Sequence, residues 1–283
     1  MRPTLIFIAL LASILSSSII LYAQDVPSFT GEFDLKKALT LVYGGLTWSN
    51  PTLKQYKNFK DSDQAFIRSV FDAPYKEQQV EKHIVIAALT PQADYFCHAC
   101  WPLLGGATFR KDGQLWSIET ESKVIEPGNG WGDTFELVQI GPNQHGVVHH
   151  IDDVHRGYED KAATVLFPLN GKLLAQQLPS QISDTPGPGA CEVPTQQLRL
   201  SFTNGNESSP RRNEKYFDLV VDVQWNDGKC DEIETAEGVD FQFTGKVCRN
   251  ISRYRFLESG YKLLTTQLSD CADWHATENP GRQ

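Results

Sequence analysis

The chain has 283 residues, enough to bury a sizeable core, and its formal charge of −9 sets it against phosphate backbones and anionic lipid surfaces. That balance argues against nucleic acid as a partner. Hydrophobic residues make up 40% of the chain, which is the composition of a folded domain rather than of a disordered tail.

The first two dozen residues carry an address. Arg2 and Pro3 precede an apolar run over 5–21, and Ala23 stands just before the polar pair Gln24 and Asp25. A basic start, an apolar core and a small residue before a polar switch are what an export signal needs to be threaded and cleaved. Residues 1–23 are therefore expected to be a signal peptide and the mature chain to be periplasmic or secreted. The competing reading is an uncleaved anchor, because the run reaches the ~17 residues that can just span a bilayer; only then would a membrane be a partner. With Arg2 removed, the mature charge falls to −10.

Residues 24–79 read as a helical or mixed segment. Asp34 is placed to cap a helix in which Leu35, Ala38, Leu39, Val42 and Tyr43 recur at helical spacing, and Gly44 and Gly45 can end it. From 80 to 271 the pattern is that of a β-rich domain. The run 80–89 looks like a buried strand, and 106–110 with 114–119 flank a turn at Lys111, Asp112 and Gly113. A second hairpin pairs 135–140 with 146–151. In a third, 164–169 and 172–178 surround Asn170 and Gly171, the dipeptide best suited to a two-residue turn with positive φ. Phe217, Leu219, Val221, Val223 and Trp225 alternate with polar residues as on a strand with one wet face. Two further strands are expected over 241–247 and 254–264. About ten strands with short turns predict a mainly β fold: a sandwich, a barrel or a bent antiparallel sheet. The Pro/Gly-rich stretch 180–194 reads as a loop, 203–214 as a polar connection, 272–283 as a tail, and its last residues, 278–283, as disordered.

Six cysteines, Cys97, Cys100, Cys191, Cys230, Cys248 and Cys271, lie in the mature part; an even number in an exported chain predicts disulfides. Cys97, His98, Ala99 and Cys100 form a Cys-x-x-Cys unit superficially like the active site of thioredoxin-like oxidoreductases, which would make Cys97 and Cys100 a redox pair. Pro102 and the glycines at 105 and 106 argue against the long helix that such a site needs, so a structural disulfide is the favoured reading. Trp101 in place of histidine excludes the usual haem attachment signature.

Four of the seven histidines cluster with two aspartates as His145, His149, His150, Asp152, Asp153 and His155. Imidazole and carboxylate suit zinc or copper. On an extended strand His145 and His149 stand ~13 Å apart, too far to share an ion. A metal site here would use His150, Asp152 and His155, with a turn at 152–153 bringing His155 back. Otherwise no cofactor is expected.

Trp131, in the loop 128–133 that ends at Asp133, could be offered to a partner. Asn226, Asp227 and Gly228 read as a turn rather than a calcium loop. Asn206 and Asn250 begin Asn-x-Ser acceptor sequences that matter only in a glycosylating host. No serine-hydrolase elbow, zinc-protease helix, phosphate loop or dinucleotide fingerprint occurs, which tilts the reading away from an enzyme.

The stretch Cys97-His98-Ala99-Cys100-Trp101-Pro102-Leu103-Leu104-Gly105-Gly106, with Gln139-Ile140-Gly141-Pro142 further on, resembles segments of uncharacterised secreted bacterial proteins. The resemblance implies a bacterial envelope setting and no particular activity. Taken together, the expected function is an exported, disulfide-containing, β-rich protein that binds a protein or other envelope partner, as an inhibitor or accessory factor. A divalent-metal-binding protein and a thiol-disulfide oxidoreductase are the alternatives.

Overall fold

A computed structural model describes residues 27–56, 59, 62–91, 102–125, 133–155, 158–178, 181–184, 197–204, 215–226, 230–236 and 238–268, with backbone only at 152–155, 158–161, 181–184, 226, 230 and 268. Antiparallel strands dominate, and a single α-helix occurs among the described residues. The fold is mainly β, as the turn and alternation pattern predicts.

The first sheet is formed by β1 (Ser28–Thr30), β2 (Thr47–Ser49), β3 (Gln64–Glu77), β4 (Val80–Pro91), β5 (Leu103–Asp112) and β6 (Leu115–Ser122), in the order β1-β6-β5-β4-β3-β2. Helix α1 (Leu35–Tyr43) crosses one of its faces. Asp34 accepts from the Lys37 N–H at 2.9 Å, satisfying an orphan donor of the first turn, and Gly44 at φ 81° closes the last. Ala38, Leu39, Val42 and Tyr43 are buried against Val85, Ala87, Phe109 and Trp116 of the sheet. The apolar stripe expected from spacing is thus the face that packs.

The other face of this sheet meets a second, made of β7 (Thr134–Gly141), β8 (Gln144–His155), β9 (Tyr158–Leu169) and β10 (Lys172–Gln177), in which β11 (Gln181–Asp184) also pairs with β9. Ile84, Ile86 and Leu104 pack there on Val147, Leu166 and Leu173. A third sheet, β12 (Gln197–Thr203), β13 (Asp218–Asn226), β16 (Val247–Leu257) and β17 (Gly260–Leu268), covers the outer side of the second. Val165 and Phe167 lie between them with Leu219, Val221, Phe256 and Tyr261. Strand β4 over 84–89 and strand β9 over 162–167 are consequently buried on both faces, which is why these stretches read as near-continuous apolar runs. The pair β14 (Cys230–Thr235) and β15 (Gly238–Phe243) forms a separate two-stranded arm.

The structure revises several boundaries. Strand β3 belongs to the first sheet, so the β architecture begins well before residue 80. Its turn into β4 uses Gln78 and Gln79 at φ 49° and 67°, residues that give no turn signal in sequence. The segment 241–247 is not one strand but the end of β15 and the start of β16, and 254–264 is a hairpin turning at Glu258, φ 46°. Within the stretch read as a loop, 181–184 pairs as β11. The tail beyond 268 lies outside the described residues.

Glycine explains how closely the layers approach. A Cβ on Gly105 would collide with the Tyr43 hydroxyl and the Lys123 carbonyl, and one on Gly106 would sit 2.6 Å from the Val85 carbonyl oxygen. Tyr43 of α1 and Leu173 of the second sheet, whose Cδ2 lies 3.0 Å from a Cβ on Gly106, meet opposite faces of β5, so helix and second sheet are both admitted by the absence of side chains. Cys248 is buried on β16 and is disulfide-bonded.

Candidate functional site

A cleft of about 320 Å³ opens between the first sheet and the edge strand β7. One wall is a row of cross-strand partners: Arg68 on β3 pairs with Ala88 on β4, which pairs with Leu104 on β5, so all three side chains share a face. The opposite wall is Asp133 and Phe135 at the start of β7. Facing rows of this kind follow from strand alternation: Phe135 stands directly opposite His149 on β8, and His149 opposite Thr164 on β9.

His149 is only 1% exposed and donates from Nε2 to Asp133 Oδ2 at 2.9 Å. The donor assignment follows from chemistry, since an ionised carboxylate can only accept. The imidazole also lies flat on Phe135, with ring centroids 4.5 Å apart and planes 7° from parallel, and Phe135 stacks in turn on Phe71 at 6.0 Å. This aromatic column fixes Asp133. Its other oxygen, Oδ1, is buried without a hydrogen-bond partner, which costs about 1–3 kcal/mol for a group of this kind. With His149 shielded by Phe135, the pair is built to hold a carboxylate in place rather than to pass protons to a substrate.

A second cleft, about 190 Å³, includes Glu77, Lys82, Glu119, Asn170 and Lys215. Here Lys82, Glu77 and Glu119 satisfy one another. Lys82 Nζ lies 2.7 Å from both Glu77 and Glu119, and Glu77 also accepts from the His145 backbone N–H at 2.8 Å. Burial pushes the Glu77 carboxyl up, but its hydrogen bonds from His145 and Lys82 win and leave it below its ordinary range. The site ties two sheets together. A third histidine, His83, lies under Phe33 at a ring distance of 3.6 Å and 3.2 Å from Asp72; burial lowers its pKa, and it is likewise a packing residue.

The residues singled out in the sequence disperse. His150 Nε2 is 3.8 Å from Glu136 on the neighbouring strand. Strand β8 runs straight through 152–153 instead of turning, and Asp152, Asp153 and His155 pair with Lys161, Asp160 and Tyr158 of β9. His150 and His155 are thereby five residues apart on one strand, roughly 16 Å at the strand rise, which corrects the expected return of His155. The side chains of Asp152 and His155 lie outside the described residues, as do Cys97, Cys100, Trp131 and Asn206. No group of three potential metal ligands occurs among the described residues. Asn250 is 3% exposed and accepts from Ser252, a position no glycan can occupy in the folded chain.

Of the cleft residues, Asp133 and His149 fall in stretches that the sequence marks, whereas Arg68 and Phe135 carry no local signature. Among the described residues no helix is long and apolar enough to cross a membrane. Comparisons with protein families, with characterised proteins and with solved structures yield no match. Fold and site together define a mainly antiparallel β protein with a charged cleft between two of its sheets.

Proposed function

We propose that this chain is an exported, disulfide-containing binding protein of the bacterial envelope or exterior, and that it holds its ligand or a segment of its partner in the cleft between the first sheet and β7. The observation that carries this reading is Asp133: one oxygen is anchored by the buried His149, while the other is left unpartnered in the wall of a cleft that also presents Arg68. A buried polar atom without a partner in a concave, partly apolar site supports binding at that place. The signal-like start at 1–23 and the bonded state of Cys248 support an oxidising compartment.

The test is native mass spectrometry of the mature chain after incubation with fractionated envelope extract. Wild type should retain a stoichiometric adduct. Val70→Trp, which fills the cleft from β3, should lose it while melting as wild type does. An adduct kept by Val70→Trp, or none in any fraction, would overturn the reading.

A further inference from the structure

Arg68 and Asp133 bear opposite charges and line the same cleft from facing walls. Yet Asp133 is bonded to His149 instead, with its second oxygen unpartnered. No ion pair to Arg68 is formed by any described residue. Between the two charges the lining mixes Ser69 with Val70, Ala88, Leu104 and Phe135. A ligand matched to this arrangement carries a cation at one end, an anion at the other and, between them, a body with both polar groups and apolar surface.

We propose that the cleft binds a short peptide by its two termini, the terminal ammonium on Asp133 and the terminal carboxylate on Arg68. This rests on the reading of the cleft as a binding site and adds the chemical class of its occupant. Guanidinium is the side chain best shaped to take a carboxylate in two parallel hydrogen bonds. An ammonium offers the donors that Asp133 Oδ1 lacks. Length selects further. An extended dipeptide spans about 7 Å and a single amino acid about 3.5 Å, so the dipeptide is the better able to hold its two termini on separate walls.

The experiment uses four probes, Leu-Leu, N-acetyl-Leu-Leu, Leu-Leu-amide and free leucine, titrated into the ¹⁵N-labelled mature chain. Leu-Leu should shift the amides of Arg68, Asp133 and Phe135. Acetylation and amidation should each weaken binding about tenfold, the scale expected for one charge-assisted contact, and leucine should bind worst. In Asp133→Asn, acetylation should cause no further loss; in Arg68→Gln, amidation should cause none. Equal binding of capped and free peptides, or no shift at the cleft with any probe, overturns the peptide proposal. If an extract adduct is still blocked by Val70→Trp in that case, the cleft remains a binding site for another class of ligand. If Leu-Leu binds Val70→Trp as tightly as wild type, both readings fall.

Discussion

Glu77 on β3 accepts the backbone N–H of His145 on β8 at 2.8 Å, so a carboxylate of one sheet completes the hydrogen bonding of the next. Lys82, from the following strand of the same hairpin, neutralises it at 2.7 Å. With Glu77 only 7% exposed, the contact is largely withdrawn from water. Salt should affect it little.

Acid should therefore loosen the joint between the first two sheets. The folded carboxyl of Glu77 titrates below its unfolded value, so its stabilisation is complete above about pH 4.3 and is lost as pH falls through the folded pKa. Lys82 has the opposite sign: burial opposes its charge, but Glu119 and Glu77 raise its pKa, so that its contribution fades only in strong alkali. Chemical denaturation of Glu77→Gln should show a loss of about 2 kcal/mol at pH 7. The gap from wild type should narrow below pH 4. A constant gap across that range would show that the carboxylate charge is irrelevant.

Gly105→Ala should destabilise far more than an average strand substitution, because its new methyl meets the Tyr43 hydroxyl and a backbone carbonyl that cannot swing away. Overpacking of this type costs about 1–3 kcal/mol. Thermal melts of Gly105→Ala and of Gly45→Ala, whose Cβ would find its nearest neighbour at 3.8 Å, give the comparison. Equal melting temperatures would refute the close-approach account of Gly105.

Two-residue turns account for much of what the sequence did and did not disclose. Asn170 and Gly171 adopt φ 52° and 75°, as their chemistry requires, and the β9–β10 hairpin was legible for that reason. Gln78 and Gln79 adopt nearly the same conformation without any residue that favours it, so the register of β3 with β4 must be set by the flanking strands. This is why β3 was not separable from the helical segment before it. The helix was readable because Asp34, the apolar spacing and Gly44 agree. Half of the cleft was not, since Arg68 acquires meaning only from its cross-strand neighbours Ala88 and Leu104 and from the wall opposite. Replacing Gln78 by Asn and Gln79 by Gly should stabilise the hairpin by about 1 kcal/mol, measurable in urea; a loss would mean that those glutamine side chains make contributions beyond the turn.

Export has its own measurement. N-terminal sequencing of protein recovered from the envelope or medium should begin at Gln24 or within a few residues of it. The same material, alkylated under native conditions, should leave Cys248 unlabelled, as its buried, bonded state requires. A chain that retains Met1 and stays in the cytosol would remove the compartment from the proposed function.

The His149 and Asp133 pair makes the sharpest energetic prediction. Phe in place of His149 keeps the flat stack on Phe135 but removes the one hydrogen bond that Asp133 Oδ2 receives among the described residues. Both carboxylate oxygens would then be unpartnered, with the side chain only 13% exposed, and His149→Phe should cost about 2–3 kcal/mol. Removing the carboxylate as well relieves that burden, so the double variant His149→Phe with Asp133→Leu should regain most of the loss. Additive losses in the double-mutant cycle would show that the two residues do not act as a unit. Recovery of stability with abolished binding of Leu-Leu would separate what the pair does for the fold from what Asp133 does for the cleft.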